Sequence, residues 1–240
     1  MWLLDRLYPR SPVHNVVTAF RIDGALDVAA LRAALEIIVA RHDALRTTFR
    51  LAGSEPRAQL QAAVGCELRV VAVSPEECEA AIEAEVRTPF DLERGPLFRF
   101  LLLAVRPTSH VFVMSFHHVI SDRRSVRIVL AELEQLYAMI VAGDPAPTLE
   151  PLPLYAEIVR RQRERLNGSH LARLRAYWSA QLAGPLPTLE LPTDKPRPAE
   201  RRLPPMACLP AAVAFECDVW LGASAPAVLT RLLRVVRPVE

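Results

Sequence analysis

Residues 1–140 alternate between two hydrophobic periods, one typical of strands and one typical of helices. Val13 to Ile22 form a short apolar run that predicts a strand. Asp27 is suited to N-cap a helix, because four apolar residues after it share one helical face: Val28, Leu31, Leu35 and Ile38. The segment that starts at Ser74 has an N-cap serine, then a proline, then a glutamate at the third position, which predicts a helix to about Arg87.

Two apolar runs in the middle of the chain predict an antiparallel pair of strands. Leu97 to Val105 and His110 to Phe116 are joined by a short segment that contains Pro107, a residue typical of turns. From Val111 to Phe116 the second run is apolar at every position except Ser115, so both of its faces are predicted to be buried inside a sheet.

Three helices are predicted after this pair of strands. A long amphipathic helix should begin just after Asp122, since apolar residues recur there at helical spacing: Val126, Val129, Leu130, Leu133, Leu136, Tyr137 and Ile140. Two more helices are predicted near residues 155–166 and 171–182. Helices packed on a mixed sheet make this an α/β sandwich.

The residues best suited to catalysis lie where the second strand of the pair ends and the long helix begins. His117 and His118 end the strand, and Asp122 precedes the helix. Adjacent strand residues point to opposite faces, so at most one of the two imidazoles can face a given cavity. A histidine at a strand end is more often packed or hydrogen-bonded than catalytic, and its function has to be judged from the surrounding pattern.

That pattern matches a known family. Residues 117–122 resemble the HHxxxDG motif of the condensation domains of nonribosomal peptide synthetases, which are relatives of chloramphenicol acetyltransferase and other HxxxD acyltransferases. Residues 41–49 resemble the RHExLRTxF motif of the same family and lie upstream in the expected order. Looser matches continue in collinear order over roughly residues 1–200. The resemblance implies a chloramphenicol acetyltransferase-like two-layer sandwich, a mixed sheet flanked by helices, with one lobe in this chain.

The resemblance also implies an activity, the joining of carrier-bound acyl or aminoacyl thioesters to an amine acceptor to form an amide bond. The catalytic motif comprises His117, His118 and Asp122. His118 matches the family's catalytic second histidine, which takes or steadies the amine proton. His117 is expected to face away from the substrate tunnel and to be structural. Asp122 is expected to form an ion pair with Arg46 that shapes the loop.

Arg123 departs from the family, which has glycine at this position. Arg123 and Ser125 are expected to line the substrate channel, because glycine there leaves the backbone open to the pantetheine arm. A cationic side chain at position 123 would obstruct the arm, bind its phosphate or point to solvent, and the sequence leaves these three outcomes open.

Net charge, hydrophobic runs and cysteine spacing limit the kinds of partner that this chain is expected to have. The net charge of +2 is too small to argue for nucleic acid, and neither a membrane-spanning run nor a signal peptide is present, so the cytoplasm is expected. The four cysteines lack the spacings of a zinc site, so no metal is implied and buried free thiols are expected. The resemblance implies no directly bound cofactor. Its partners would be acyl or peptidyl carrier proteins, which deliver substrates on phosphopantetheine, and adenylation domains.

Proline density divides the chain. Residues 1–183 are expected to form the amino-terminal lobe, residues 184–210 a proline-rich linker, and residues 211–240 a short tail that is truncated, frameshifted or a divergent remnant of a second lobe. One lobe would leave a two-lobed site incomplete, so the isolated chain is expected to be inactive. Two other functions stay open: an HxxxD acyltransferase acting on a free amine or alcohol, and a non-catalytic module that docks a carrier protein.

Overall fold

The computed structural model describes residues 1–187 and the two-residue strand at 227–228. The helices are α1 Trp2–Leu7, α2 Val28–Arg41, α3 Cys78–Arg87, α4 Arg123–Val141, α5 Tyr155–Arg165 and α6 Gly168–Gln181. The strands are β1 Asn15–Gly24, β2 Thr47–Ala52, β3 Glu55–Leu60, β4 Leu68–Ala72, β5 Phe98–Arg106, β6 Ser109–His117 and β7 Ala227–Val228. Single turns of 3₁₀ helix precede β1, β2 and α3, at Pro12–His14, Asp43–Arg46 and Pro75–Glu77.

The first compact unit of the chain, which includes residues 1–152 and the described strand β7, is organised by a mixed sheet, as predicted. Its strand order is β4-β5-β6-β1-β7, in which β4 and β5 are parallel and the other pairs are antiparallel. Strand β6 lies between β5 and β1, and every one of its residues from His110 to His117 is buried. The apolar character of this run on both faces is therefore explained by its central place. Strands β2 and β3 form a separate antiparallel ribbon.

Helices cover both faces of the sheet. Phe112, Met114 and Phe116 of β6 belong to a cluster that includes the buried stripes of α2 and α4. The alternate residues Val111 and Val113 belong to a second cluster with Ile82 of α3. The mixed sheet with flanking helices confirms the predicted α/β class.

The predicted helix starts are present. The Asp27 carboxylate accepts a hydrogen bond from the Ala30 N–H at 2.9 Å, and the Glu77 carboxylate accepts one from the Ser74 N–H at 2.7 Å. The sequence interpretation missed α1, β4 and the ribbon. All six residues of β3 are exposed and β4 buries only Leu68, so neither strand has an alternating pattern to recognise.

A second compact unit begins at Pro153, and its described part, up to residue 187, contains α5 and α6 near their predicted positions. The interpretation of residues 184–210 as a linker falls almost entirely outside the described residues, as does that of residues 211–240 apart from β7. Within the described residues, none of the helices is both long and apolar enough to span a bilayer. Cys66 and Cys78 are free thiols and partly buried, while Cys208 and Cys217 lie outside the described residues.

Candidate active site

The turn between β6 and α4 is organised by His117, the last residue of β6. Its backbone carbonyl accepts hydrogen bonds from the Ile120 N–H at 3.1 Å and from the Ser121 Oγ at 3.3 Å. Its ring Nδ1 accepts from the Val119 N–H at 3.0 Å. Three contacts to one residue therefore hold the turn that carries His118.

His118 is oriented by two further hydrogen bonds. Its N–H donates to the His14 carbonyl at 2.8 Å, which continues the pairing of β6 with the segment before β1. Its Nδ1 lies 2.6 Å from the Ser121 carbonyl oxygen. Because a carbonyl oxygen only accepts, Nδ1 carries the hydrogen and Nε2 of the neutral ring keeps a free lone pair. The residue is exposed, so this basic nitrogen is available to an incoming group.

His117, in contrast to the exposed His118, is buried. It is 2% exposed, and its ring packs edge-on against Phe90 and His14, with centroids 6.2 and 5.7 Å away. Burial, reinforced by the neighbouring His14 and His118, lowers the pKa of His117 to about 4. The ring is therefore neutral near pH 7, and because its Nδ1 accepts from Val119, its hydrogen resides on Nε2.

Acidification is expected to destabilise the fold through His117. The unfolded ring, with a pKa of 6.5, takes up a proton below that pH, whereas the folded ring does so only near pH 4. The free energy of unfolding should therefore fall between these values, by up to about 1.4 kcal/mol per pH unit. Burial also lowers the pKa of His14 and His110, which act in the same direction.

The measurement is urea denaturation at several pH values from 7 to 4. His117→Asn keeps an acceptor for the Val119 N–H but does not titrate, so its stability should depend less steeply on pH than that of the wild type. His170→Asn, at an exposed position of α6, is the control and should keep the wild-type slope. An unchanged slope in His117→Asn would mean that His117 is not the source of the acid sensitivity.

Asp122 and Ser125 form the N-terminal cap of α4. The Asp122 carboxylate accepts hydrogen bonds from the Ser125 N–H and Oγ, both at 2.8 Å, and the Asp122 N–H donates to the Ser125 Oγ at 3.2 Å. The bond from the Ser125 N–H is the main cause that lowers the pKa of Asp122. The carboxylate is therefore engaged with its own helix. Arg123 is exposed at the first residue of this helix, and the assignment of Arg123 and Ser125 to a substrate channel stays a prediction.

The structure corrects the expected ion pair between Arg46 and Asp122, which is not formed in the described chain. The Arg46 guanidinium donates to the Gln61 carbonyl at 2.9 Å, to the Ala62 carbonyl at 3.3 Å and to the Asp43 carboxylate at 3.3 Å. A carboxylate three residues away in the same 3₁₀ turn is the partner of Arg46, while helix capping engages Asp122.

Double-mutant cycles should separate these two groups. Asp122→Ala and Ser125→Ala should each cost about 1 kcal/mol, and the double variant less than the sum, because both remove one cap. Arg46→Ala and Asp122→Ala should be additive, since the two residues share no partner. A coupling energy above about 1 kcal/mol between Arg46 and Asp122 in denaturation experiments would instead show that the two residues form an ion pair.

Sequence reasoning missed two residues whose hydrogen bonds hold motif residues in place. Glu132 of α4 accepts hydrogen bonds from the Arg41 Nε at 3.2 Å and pairs with the His42 Nε2 at 2.7 Å. Arg41 also donates to the Leu149 carbonyl at 3.3 Å, so the first residues of the 41–49 motif bind α4 and the chain beyond it. The second missed residue is His14, whose carbonyl accepts the hydrogen bond from the His118 N–H. The motif marked Arg41 and His42, but nothing in the sequence marked their partner or His14.

A cleft of about 510 Å³ lies apart from the turn, between α2 and residues 62–66. Its lining includes Glu36, Arg46 and Cys66. Burial, with a smaller contribution from the Glu36 charge, raises the pKa of Cys66 to about 11. This thiol is protonated near pH 7, so little of it is present as the nucleophilic thiolate.

A family model, related sequences and solved structures all match this chain over most of its length. The family described as Condensation domain matches residues 1–206. A linear gramicidin synthase of Brevibacillus parabrevis is 40% identical over 208 residues, which cover 83% of this chain and 3% of that protein. The X-domain in its complex with OxyB from teicoplanin biosynthesis is 30% identical, with a TM-score of 0.74, over 82% of this chain and 44% of that one.

A more distant structure shares the fold. The starter condensation domain of rhizomide synthetase is 24% identical, with a TM-score of 0.70, over 76% of this chain and 45% of that one. The chain thus spans less than half of both solved chains and 3% of the linear gramicidin synthase.

Proposed function

This chain belongs to the condensation domain family, and from that premise we propose that it supplies the His118 side of a site for nonribosomal peptide synthesis. The reaction joins an acyl or aminoacyl thioester on one carrier protein to the amine of a second carrier-bound substrate. Carrier proteins would present both reactants on phosphopantetheine arms in the cytoplasm, after adenylation domains have activated them.

The geometry of His118 carries this proposal. Donation from Nδ1 to the Ser121 carbonyl leaves the Nε2 lone pair on an exposed ring, and the surrounding turn fixes where that lone pair lies. A positioned imidazole contributes roughly 10²–10⁴-fold as a general base. His117 is buried, neutral and hydrogen-bonded within the turn, so we assign it a positioning role.

In the proposed step, His118 takes one proton from the amine and passes it to the leaving thiolate. The acceptor nitrogen attacks the thioester carbonyl carbon, a C–N bond forms, and His118 Nε2 takes the amine proton. The C–S bond then breaks, and the departing pantetheine thiolate recovers that proton from the imidazolium. Arg123 and Ser125 lie in the first turn of α4, which follows the His118 turn along the chain. We assign them to the wall along which an arm approaches.

The test uses a hybrid protein in which residues 1–206 replace the matching part of a condensation domain of the Brevibacillus parabrevis linear gramicidin synthase. Loaded donor and acceptor carriers are mixed with it, and mass spectrometry detects the amide. The 240-residue chain alone should give no product, because holding two reactants together is worth roughly 7–11 kcal/mol and needs the wall of a second lobe.

The outcomes distinguish the three functions. Amide on the acceptor carrier above the uncatalysed background supports condensation. Product only with free amines or alcohols would favour an HxxxD acyltransferase acting on small acceptors. Carrier binding without product, in a hybrid whose unaltered parent is active, would favour the docking module and would overturn the proposal.

A further inference from the structure

Three polar atoms are buried behind the His118 turn without a hydrogen-bond partner among the described residues. They are the His14 Nε2, the Asn15 Oδ1 and the His117 Nε2. Asn15 and His117 are directly paired across β1 and β6, so their side chains lie on the same face of the sheet. The His14 ring meets the His117 ring edge-on at 5.7 Å between centroids. Buried polar groups almost always have a partner, so this grouping needs an explanation.

The chemistry of each atom follows from its neighbours. His117 Nδ1 accepts from the Val119 N–H, so its Nε2 carries a hydrogen and is a donor. The Asn15 amide nitrogen donates to the Val86 carbonyl at 2.9 Å and the Thr88 carbonyl at 2.8 Å, which fixes its Oδ1 as an acceptor. The His14 Nε2 takes either role according to the tautomer. One donor, one acceptor and one adjustable atom match the hydrogen-bonding capacity of a single water molecule.

We propose that His14, Asn15 and His117 enclose one water molecule, and that His14 is thereby a positioning residue for His118. The water would accept a hydrogen bond from the His117 Nε2–H and donate one to the Asn15 Oδ1. Its third hydrogen bond would be formed with the His14 Nε2, as donor or acceptor according to the tautomer of His14. Buried waters typically make about three such bonds and belong to the structure around them.

A continuous set of contacts joins this cluster to His118. The His117 ring holds the Val119 N–H, and the His117 carbonyl holds Ser121, whose own carbonyl accepts from the His118 Nδ1–H. A His117 ring fixed by the water therefore fixes the turn, and the turn fixes the tautomer and direction of the His118 ring. The consequence for catalysis rests on the proposed function, whereas the water and the tautomer do not.

Nuclear magnetic resonance of the 240-residue chain with labelled histidine tests the proposal directly. The His117 Nε2–H proton should be protected from exchange and should show a cross-peak to water, and His118 should be a single Nδ1–H tautomer. His14→Phe keeps a ring against His117 but deletes Nε2. It should speed exchange of the His117 Nε2–H at least about tenfold and mix the His118 tautomers.

Two further variants complete the design. His14→Gln restores a polar atom near the water and should recover slow exchange, while His170→Phe at an exposed position of α6 should change nothing. The wild type alone also tests the proposal, even if His14→Phe fails to fold. If its His117 Nε2–H contacts another side chain and not water, the proposal is overturned. Unchanged exchange and tautomer in a folded His14→Phe would overturn it as well.

An activity measurement extends the test. In a hybrid that forms the amide, His14→Phe should lower kcat with little change in KM, because substrate contacts are retained while the base is less well oriented. An inactive hybrid would count against the proposed function and leave the resonance result standing.

Discussion

His118→Ala is expected to slow amide formation by at least about a hundredfold in the hybrid protein, while changing the free energy of unfolding little. The side chain is exposed and makes one hydrogen bond of its own, from Nδ1 to the Ser121 carbonyl. The backbone contact to His14 survives the substitution. Loss of the Nε2 lone pair should therefore affect the proton transfer and leave the core intact.

Single-turnover kinetics with both carriers loaded provide the measurement, because they exclude carrier exchange and product release. His118→Asn is the matched variant: its amide nitrogen takes the place of the Nδ1–H and donates to the Ser121 carbonyl without supplying a base, and it should be as slow as alanine. His117→Asn provides the contrast, with a larger loss of stability than of rate. Near-normal turnover by His118→Ala would remove the general-base assignment.

The fold was largely predictable because its central elements carry local signals. Strand β6 is apolar on both faces, and α4 has a single apolar stripe behind an aspartate cap. The ribbon and α1 were not predictable in this way, since β3 buries none of its residues and α1 buries none either. Burial produces the periodic pattern, and elements without burial leave no trace of it.

The site was predictable only in part, for a different reason. His117, the last residue of β6, is buried, and His118, the next residue along the chain, is exposed, as the alternation of side chains along a strand leads one to expect. The partner of Arg46 was missed because a charged side chain takes the nearest well-placed acceptor, which here is Asp43, and a motif does not encode that competition. Contacts such as His14 with His118 depend on strand register, which becomes known only when the sheet is assembled.

A buried carboxylate with two arginine partners lies on the α3 side of the sheet. Glu85 is 3% exposed, and its carboxylate forms ion pairs with Arg69 and, at 2.9 Å, with the Nε of Arg99. The Arg99 guanidinium also stacks on the Phe90 ring at 3.8 Å, and Phe90 in turn packs against His117. The Glu85 carboxylate thus anchors α3 to the sheet directly behind the histidine turn.

Glu85→Ala is expected to lower the free energy of unfolding by about 3–5 kcal/mol, because it leaves the partly buried Arg99 without its carboxylate. Glu83→Ala is the matched control two residues away in α3. Glu83 pairs with Arg87 at the surface, with side chains 51% and 64% exposed, so its loss should cost about 0.3–0.5 kcal/mol. Both substitutions introduce alanine into the same helix, so differences in helix propensity largely cancel.

Urea denaturation of the two variants gives the comparison, and Glu85→Gln refines it. Glutamine keeps the shape and a hydrogen-bond acceptor for Arg99 but removes the charge, so its loss should fall between those of the two alanine variants. Equal losses for Glu83→Ala and Glu85→Ala would show that the buried carboxylate stabilises the fold no more than a surface pair does. In that case α3 would be held by the apolar contacts of Ile82, and the support behind His117 would be hydrophobic.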